Sequence, residues 1–381
     1  MIIKSRLLAR PFSFIRRLPA MVQLILICTS LIALPAFAEE NPENINKNKV
    51  LDASKSFGSI LQYHHVSNKT PKTTSITPEQ LETHFRYLEK ENFSIIPLDE
   101  LVIALKNKHV LPEKTVAITF DDAYESIFEN AYPLLKQRNW PFTIFVATDP
   151  IDLRYGGMLN WDQLRLMQQN GALIANHTRA HRHLTSKLPD ETDRDWLARV
   201  EKDLRWTEQR IASEIPMQKA KAKLFAWPYG EFNQPLLTLL SDMEYISVAQ
   251  HSGPASALDD FSALPRFPAS GRYANLNTLK IKLNSMPLAV SNLSQQAVTD
   301  ANPPLLSFDL EKGPYVARQL NCYGSGQGEI PLIRQDNHFQ IQAKQTFNIR
   351  RFRYNCTLRH RSMNKYFWRS WAWVREDLPE D

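Results

Sequence analysis

The sequence predicts an α/β fold, in which a mostly parallel sheet is covered by helices, followed by a small C-terminal antiparallel β domain. Short apolar, β-branched runs alternate with helical patterns from residue 59 to about 290, which is typical of a parallel sheet that is open or closed into a barrel. After residue 291 the helical pattern gives way to short runs rich in aromatic and β-branched residues. Parallel sheets of this kind bind their ligands at the carboxyl ends of the strands.

Each element follows from a local pattern. Apolar runs predict strands, amphipathic runs predict helices, and Thr77-Pro78 marks a helix start because proline is favoured in the first helical turn. The predicted strands are 59–66, 94–96, 115–120, 142–146, 172–175, 223–227 and 245–249. The predicted helices cover 98–106, 126–138, 161–169, 191–213 and 234–240, besides the one that begins near residue 78.

The amino terminus has the pattern of a secretory signal peptide. Residues 1–38 contain five basic residues and no acidic one, include the apolar run 21–34, and end in Ala36-Phe37-Ala38. The 381-residue chain has 46 basic and 40 acidic residues, but without this segment the numbers are 41 and 40. The basic charge is therefore mostly a targeting property, and we exclude nucleic acid as a partner. We expect an exported protein, in the periplasm, at the cell surface or secreted; an uncleaved segment would associate with the membrane.

Cysteine usage agrees with export. Cys28 lies in the targeting segment, which leaves Cys322 and Cys356 in the mature chain. An even number of cysteines in an oxidising compartment predicts a disulfide between these two residues. Two buried free thiols are the alternative.

The chain after the signal peptide is expected to have four parts. These are a flexible polar leader at 39–58, a large domain at 59–290, a linker at 291–304 and a small β domain at 305–381. Residues 301–381 carry 12 basic and 8 acidic side chains, which favours contact with an acidic surface polymer. Arginine stems that cover aromatic side chains on a solvated face explain this excess equally well.

Two adjacent carboxylates, Asp121 and Asp122, follow the buried strand 115–120. Unpaired charges at the end of a buried strand are costly unless a positive or proton-bearing group lies opposite. A metal ion is the first candidate for that partner. The alternative is that one Asp caps the helix that starts near Ala123 while the other is solvated.

A second polar segment follows strand 172–175. Asn176 leads into His177-Thr178-Arg179-Ala180-His181, and two histidines four residues apart can direct ring nitrogens at one zinc ion. Alone, this spacing fits a pair of surface histidines equally well. However, both strand ends fall on the same rim of a parallel sheet. One Asp and two His would supply three ligands and leave open positions for water, as a catalytic divalent metal requires.

Three segments together resemble the successive motifs of the polysaccharide deacetylase family, also called the NodB homology family or carbohydrate esterase family four. They are Thr119-Phe120-Asp121-Asp122, His177-Thr178-Arg179-Ala180-His181 and Phe225-Ala226-Trp227-Pro228-Tyr229-Gly230. The resemblance covers residues 59–290. It implies a distorted (β/α) barrel and a metal-dependent hydrolase, with Zn²⁺ as the first choice of metal, that removes N-acetyl groups from an amino-sugar polysaccharide.

The resemblance also implies roles for individual residues. Asp121 would be the general base, and Asp122, His177 and His181 would be the metal ligands. The backbone N–H of Tyr229 would donate a hydrogen bond to the oxyanion that forms during hydrolysis.

The sequence departs from the family pattern at two places. Trp227 stands where the family usually has an arginine that holds the catalytic Asp, and Arg266, in the segment 264–268, is the expected replacement. In addition, no Leu-x-His motif follows near residue 283 to supply the acid. Tyr63-His64-His65-Val66 resembles the N-terminal segment of the subgroup that acts on exported poly-N-acetylglucosamine. His64 is therefore the expected general acid, with His65 as the alternative. A purely structural role, in which the histidine only bonds a backbone carbonyl at the strand end, also accounts for its presence.

Two other functions remain open at this stage. The first is a deacetylase-like protein that binds glycans without catalysis, and the second is another zinc hydrolase, such as an amidase or peptidase. Asp121 argues against the first, because a binding protein does not need the base. His183 is expected behind the metal ligands or on the surface. The polymer, N- or O-acetyl specificity, the native metal, the oligomeric state and the role of the C-terminal domain stay open.

Overall fold

The computed structural model describes residues 55–294 and 301–380. The predicted signal peptide at 1–38 lies outside the described residues, as do most of the leader at 39–58 and part of the linker at 291–304. Within the described ranges, no helix combines the length and the apolar character needed to cross a bilayer.

The first part of the chain, called the barrel below, contains eleven of the strands described. In chain order they are β1 (Phe57–Tyr63), β2 (His65–Val66), β3 (Ser75–Ile76), β4 (Ser94–Ile95), β5 (Thr115–Phe120), β6 (Phe142–Val146), β7 (Ala172–Asn176), β8 (Lys223–Ala226), β9 (Tyr245–Val248), β10 (Ala255–Ser256) and β11 (Phe267–Pro268). The α-helices are α1 (Pro78–Lys90), α2 (Leu98–Lys106), α3 (Tyr132–Gln137), α4 (Thr148–Asp152), α5 (Trp161–Gln168), α6 (Asp193–Glu214), α7 (Gln234–Asp242) and α8 (Leu276–Leu283).

The main sheet has the order β10-β1-β5-β6-β7-β8-β9, and all neighbours from β1 to β9 pair in parallel. The sheet curls, so that the segment 264–268 touches both of its sides. Leu264 bridges to Val248 of β9, and β11 pairs in parallel with β1. This arrangement confirms the distorted (β/α) barrel, and it places the carboxyl ends of the strands around one rim.

Burial explains why these segments form strands and helices. All six residues of β5 are buried, and helix α1 turns Leu81, Phe85 and Leu88 toward the core. The start of α1 is fixed by a capping box between Thr77 and Gln80, as the cap-then-proline pattern predicts.

Two predicted elements differ in detail from the structure. The helix expected over 126–138 begins with a π-helical turn, Ile127–Ala131, because Pro133 has no N–H to donate and interrupts regular α-helical bonding. The single strand expected over 59–66 is broken at His64, which separates β1 from β2.

The remaining strands form two further sheets, called the C-terminal β unit below. They are β12 (Met286–Pro287), β13 (Val290–Ser291), β14 (Leu306–Leu310), β15 (Asn321–Gly324), β16 (Gly328–Glu329), β17 (Leu332–Gln335), β18 (His338–Ile341), β19 (Arg351–Arg359) and β20 (Tyr366–Val374). The pairing is antiparallel except between β12 and β20. Because β12 and β13 belong to these sheets, strand pairing in this unit starts at Met286, ahead of the predicted linker.

The predicted disulfide between Cys322 and Cys356 is present. The two cysteines are direct cross-strand partners in β15 and β19, and both are fully buried. The disulfide therefore lies inside the apolar core of the C-terminal β unit.

Candidate metal centre and active site

Asp122, His177 and His181 form a cluster on the rim where β5 and β7 end. Their ligand atoms lie within 4.8 Å of one another. Nε2 of His177 is 3.3 Å and Nε2 of His181 is 3.2 Å from Oδ1 of Asp122. The sequence predicted these three residues as metal ligands, and the fold brings them together.

The backbone around this cluster is held in uncommon conformations. Asp122 has φ 72° and His181 has φ 53°, both in the left-handed region, which costs roughly 1–3 kcal/mol per residue for side chains other than glycine. The N–H of His181 donates to Oγ1 of Thr178 at 3.0 Å, which fixes the turn between the two histidines. Such strain persists where the surrounding contacts hold a functional geometry.

The surroundings of the cluster fit a divalent metal. Nδ1 of His177 donates to the carbonyl oxygen of Ala226 at 2.7 Å, so Nε2 is the nitrogen that faces the cluster. Burial favours the neutral ring, but Asp122 and Asp121 outweigh it and raise the pKa of His177, so a metal ion would compete with a proton for Nε2. Burial and the neighbouring His177 lower the pKa of His181 to about 4, which favours its neutral, ligating form. Oδ1 of Asp122 is buried and has no hydrogen-bond partner among the described residues. One carboxylate oxygen and two imidazole nitrogens are a donor set that zinc and related metals accept.

Asp121 lies beside this cluster and is completely buried. Arg266 binds it in a bidentate fashion, with Nη1 2.7 Å from Oδ1 and Nη2 2.7 Å from Oδ2. Burial opposes ionisation, but the charge and hydrogen bonds of Arg266 outweigh it and lower the pKa of Asp121 to about 2. Arg266 thus lies against Asp121, where the sequence analysis expected the substitute arginine.

Trp227 does not take the place of the missing arginine at Asp121. Its side chain is fully buried in an apolar cluster, and its indole N–H donates to the carbonyl oxygen of Ser262 at 2.8 Å. The guanidinium instead belongs to Arg266, which directly precedes β11. Because β11 pairs with β1, the Arg266 side chain can reach Asp121. Its Nε donates to the carbonyl oxygen of Ala249 at 2.9 Å, which orients the Arg266 side chain.

The two histidines after β1 have different surroundings. Nε2 of His64 is 3.8 Å from Oδ2 of Asp121, and its side chain is 17% exposed. The ring of His65 stacks on the ring of Tyr124, with centroids 3.5 Å apart, and burial lowers its pKa. His64 is therefore the histidine that faces the candidate reacting centre.

Tyr229 lies in a tight turn after β8. It has φ 58°, and the turn is closed by Gly230 and Glu231, whose N–H groups donate to the carbonyl oxygens of Trp227 and Pro228. The N–H of Tyr229 is not one of the donors that close this turn. The Tyr229 ring lies 4.5 Å from the ring of His181, so the turn borders the candidate metal cluster.

Sequence reasoning missed two residues that support the site. Nε2 of Gln62 donates to Oδ2 of Asp121 at 2.8 Å, and Gln62 is the cross-strand partner of Thr119. A polar residue two positions before His64, on the strand next to Asp121, was a usable signal. Glu231, directly after the third motif, accepts a hydrogen bond at 2.9 Å from His183.

His183 and Asn176 are placed behind the cluster. The His183 ring stacks on the Tyr229 ring at 3.7 Å with an interplanar angle of 4°, so it supports the turn and does not join the metal ligands. Oδ1 of Asn176 accepts the N–H of Thr178 at 2.8 Å, which shapes the loop that carries the two histidines.

The sequence and the fold are similar to those of known proteins. Residues 108–248 match the family model described as polysaccharide deacetylase. The poly-beta-1,6-N-acetyl-D-glucosamine N-deacetylase of Staphylococcus aureus strain MRSA252 is 26% identical over 239 residues, which cover 57% of this chain and 81% of that protein.

Solved structures agree at the level of the fold. Deacetylase PplD of Streptococcus pyogenes, in complex with acetate, has a TM-score of 0.53 at 21% identity, and the match covers 60% of this chain and 98% of that one. IcaB of Ammonifex degensii has a TM-score of 0.52 at 20% identity, with 60% and 97% covered.

Proposed function

We propose that this chain is a metal-dependent hydrolase that removes N-acetyl groups from an amino-sugar polysaccharide, because residues 108–248 match the polysaccharide deacetylase family model. The observation that carries the proposal is the cluster of Asp122, His177 and His181. In it, a buried carboxylate oxygen that has no hydrogen-bond partner among the described residues faces two imidazole nitrogens. The likeness to the Staphylococcus aureus enzyme supports an N-acetylated amino sugar as the substrate.

The metal would be held by these three side chains. A divalent ion such as Zn²⁺ supplies a Lewis acid that polarises a carbonyl group and lowers the pKa of water to about 7. Export, zinc as the native metal and preference for N-acetyl over O-acetyl groups are parts of the same proposal. They rest on the signal-peptide pattern, the donor set and the likeness to N-deacetylases.

Asp121 would act as the general base. It stays ionised because Arg266 is bound to it, and among the described residues Oδ1 accepts one hydrogen bond, from Nη1 of Arg266. A carboxylate oxygen has two lone-pair positions, so Oδ1 keeps one with which to accept a proton from the attacking water. Arg266 and Gln62 would hold the carboxylate in position during this transfer.

Two groups would complete the reaction on the opposite side of the acetyl group. The N–H of Tyr229 would donate to the carbonyl oxygen as that oxygen gains negative charge. His64 would then deliver a proton to the leaving amine nitrogen, since its Nε2 lies 3.8 Å from Asp121 and its side chain is partly exposed. His65 is the weaker candidate because it stacks on Tyr124.

The complete set of contacts around Asp121 disfavours a protein that only binds glycans. Such a protein needs at most the metal ligands, whereas here a buried arginine and Gln62 position a second carboxylate that does not belong to the metal cluster. An amidase or peptidase would also need a base, so the contacts of Asp121 do not distinguish this alternative from a deacetylase. The match to the polysaccharide deacetylase family, and not the site alone, argues against it.

The test is acetate release by the purified mature protein, loaded with a divalent metal, from N-acetylglucosamine oligomers. Asp121→Asn should lower the rate by about 10²- to 10⁴-fold while bound metal is retained, because general-base catalysis contributes that much. Asp242→Asn, at an exposed carboxylate, is the matched control. No acetate release by the wild type with any divalent metal would refute the enzyme proposal. Acetylated peptides are assayed as well, because they are the substrates that the amidase or peptidase alternative predicts.

The general acid can be tested in the same assay. His64→Ala should lower the turnover number, and His65→Ala should have a smaller effect. Full activity in His64→Ala would refute the proposed acid and leave the hydrolase proposal standing.

A further inference from the structure

A cavity of about 330 Å³ lies between the barrel and the C-terminal β unit. Its barrel side includes His64 and Tyr229, and its other side includes Arg351, Arg353 and Trp373 from β19 and β20. Ligand pockets usually occupy about 300–1,000 Å³, so this cavity is large enough for a small ligand such as a sugar residue.

The cavity adjoins the candidate reacting centre. His64 is 3.8 Å from Asp121, and the Tyr229 ring is 4.5 Å from the ring of the metal-cluster residue His181. A polymer whose acetylated sugar lies at the metal cluster would therefore place a neighbouring sugar in this cavity. The C-terminal β unit would then form one wall of the substrate site.

The wall formed by the C-terminal β unit is positively charged. Arg351 and Arg353 are two positions apart in β19, so they lie on the same face of the strand. Both are only partly buried, and the described residues that line the cavity include no Asp or Glu. Like charges on one face repel each other, and an anion bound between them would offset that repulsion.

The nearest buried carboxylate does not cancel this charge. Glu231 accepts hydrogen bonds from Nε of Arg350 at 2.8 Å and from Nη1 of Arg351 at 2.9 Å. Its single negative charge is thus shared by two guanidinium groups, and the more exposed carboxylates Glu376 and Glu380 also act on Arg350. Arg353 adds another positive charge, and its Nη1 donates to an uncharged carbonyl oxygen, that of Gln250, at 3.1 Å.

Two titratable groups near the cavity respond to this positive charge. Burial, Arg353 and Arg369 together lower the pKa of His251 to about 3. Burial, Arg353 and Arg272 together lower the pKa of Lys282 to about 7. Arg353 therefore disfavours further positive charge on this side of the site.

The positively charged wall is held firmly against the barrel. Arg350 and Arg351 anchor it to the buried Glu231, Arg353 bonds to Gln250, and Ser370 donates to the carbonyl oxygen of Ser252. A wall held in this way can position its arginines before a ligand arrives, which lowers the entropy cost of binding.

Resting on the deacetylase function proposed above, we propose that this cavity is a subsite for a sugar that carries a carboxylate. Guanidinium groups recognise carboxylates through charge-assisted hydrogen bonds, and Arg353, which donates to an uncharged carbonyl oxygen, presents such a group to the cavity. The substrate would then be an acidic amino-sugar polymer, in which a hexuronic acid neighbours the N-acetylated residue.

The test compares kcat/KM for acetate release by the full mature protein on three oligosaccharides. The first alternates N-acetylhexosamine with hexuronic acid, the second is the same oligosaccharide with its carboxyl groups reduced to alcohols, and the third is a neutral β-1,6-linked N-acetylglucosamine oligomer. The acidic oligosaccharide should react at least about tenfold faster than its reduced form, since one charge pair near a protein surface is worth that much or more. This ratio should fall as salt is added.

Arg353→Gln should bring the ratio of acidic to reduced oligosaccharide close to one, and Arg353→Lys should retain part of it. Arg334→Gln removes the same charge from an exposed position on β17 and should leave the ratio unchanged. Arg351→Gln is a second variant, but it also removes a hydrogen bond to Glu231, so its thermal stability must be measured alongside.

The outcomes separate the subsite from the deacetylase function. Equal or faster reaction of the reduced oligosaccharide would overturn the subsite, and so would acetate release from the β-1,6 oligomer alone; both results leave the deacetylase function intact. Acetate release from none of the three would instead refute the function on which the subsite rests.

Discussion

Two buried carboxylate clusters in this molecule differ in the groups that face them. Glu231 has a fully buried side chain and accepts hydrogen bonds from Arg350, Arg351, Thr185 and His183. The bonds from Arg350 and Arg351 join the barrel to the C-terminal β unit. Burial opposes ionisation of Glu231, but the bonds outweigh it and lower its pKa to about 2.

Asp122 is the contrasting case. Its Oδ1 is buried, yet among the described residues it has no hydrogen-bond partner, and the nearest groups are the ring nitrogens of His177 and His181. A carboxylate that is bonded by several donors, like Glu231, has a structural role. A carboxylate that faces ring nitrogens, like Asp122, can instead bind a cation together with them. Burial alone therefore does not distinguish a structural carboxylate from a metal ligand.

The largest expected effect that separates the clusters concerns metal binding. Asp122→Asn should lower both metal affinity and acetate release by more than about a hundredfold, because even the outer partners of metal ligands are worth about 10- to 100-fold. Metal content measured after gel filtration provides the readout. Glu231→Gln should keep its metal; if it lost the metal to the same degree, the distinction between the clusters would be wrong.

The second effect concerns folding stability. Glu231→Gln leaves Arg350 and Arg351 without their charged partner and should reduce the free energy of unfolding by about 3–5 kcal/mol. Denaturant titration of the metal-free protein measures this change. Glu329→Gln, at an exposed position, is the control and should change stability by less than about 0.5 kcal/mol. Asp122→Asn should destabilise the metal-free protein less than this, since Oδ1 of Asp122 has no hydrogen-bond partner among the described residues.

The third effect tests how far the Glu231 cluster depends on the C-terminal β unit. Replacing Cys322 and Cys356 together by alanine removes a cross-link between residues 34 positions apart. The chain-entropy model predicts a loss of roughly 3–4 kcal/mol for a loop of that length. The loss should appear in the unfolding of the C-terminal β unit, followed by tryptophan fluorescence. Unchanged stability would mean that packing alone holds this unit together.

The smallest effect is a pH dependence of the Glu231 contribution. The pKa of Glu231 is near 2 in the folded protein against an ordinary value of 4.5, so its stabilising contribution is complete above pH 4.5 and is lost as the pH falls toward 2. The stability difference between wild type and Glu231→Gln should therefore shrink over that window, by up to about 3 kcal/mol. A difference that stayed constant down to pH 2 would contradict the charged state of Glu231.

His84 makes stability depend on pH in another range, and it does so in the wild type and in Glu231→Gln alike. Burial lowers its pKa to about 4 from 6.5, so the unfolded chain takes up the proton first. Stability should fall as the pH drops from 6.5 toward 4 in wild type and variant alike.

The sequence by itself determined the features that depend on local pattern. Alternating apolar and amphipathic runs predicted the parallel sheet with its covering helices, and the family resemblance implied that it forms a distorted barrel. The motifs containing Asp122, His177 and His181 predicted the candidate metal cluster, because parallel strands end on one rim. Export with two remaining cysteines predicted the disulfide. The break at His64 and the π-helical turn were missed, since both depend on bonding that a periodic pattern does not encode.

Only the tertiary structure decided the contacts between residues far apart in the chain. Arg266 reaches Asp121 across 145 positions, and Arg350 reaches Glu231 across 119. The family resemblance pointed to Arg266 as the substitute arginine, but nothing in the local pattern distinguished Arg350 from the other arginines. The position of the C-terminal β unit beside the rim that carries Asp121 and Asp122 has the same origin. It follows from how two curved surfaces pack, and that packing brings Arg351 and Arg353 to the edge of the candidate active site.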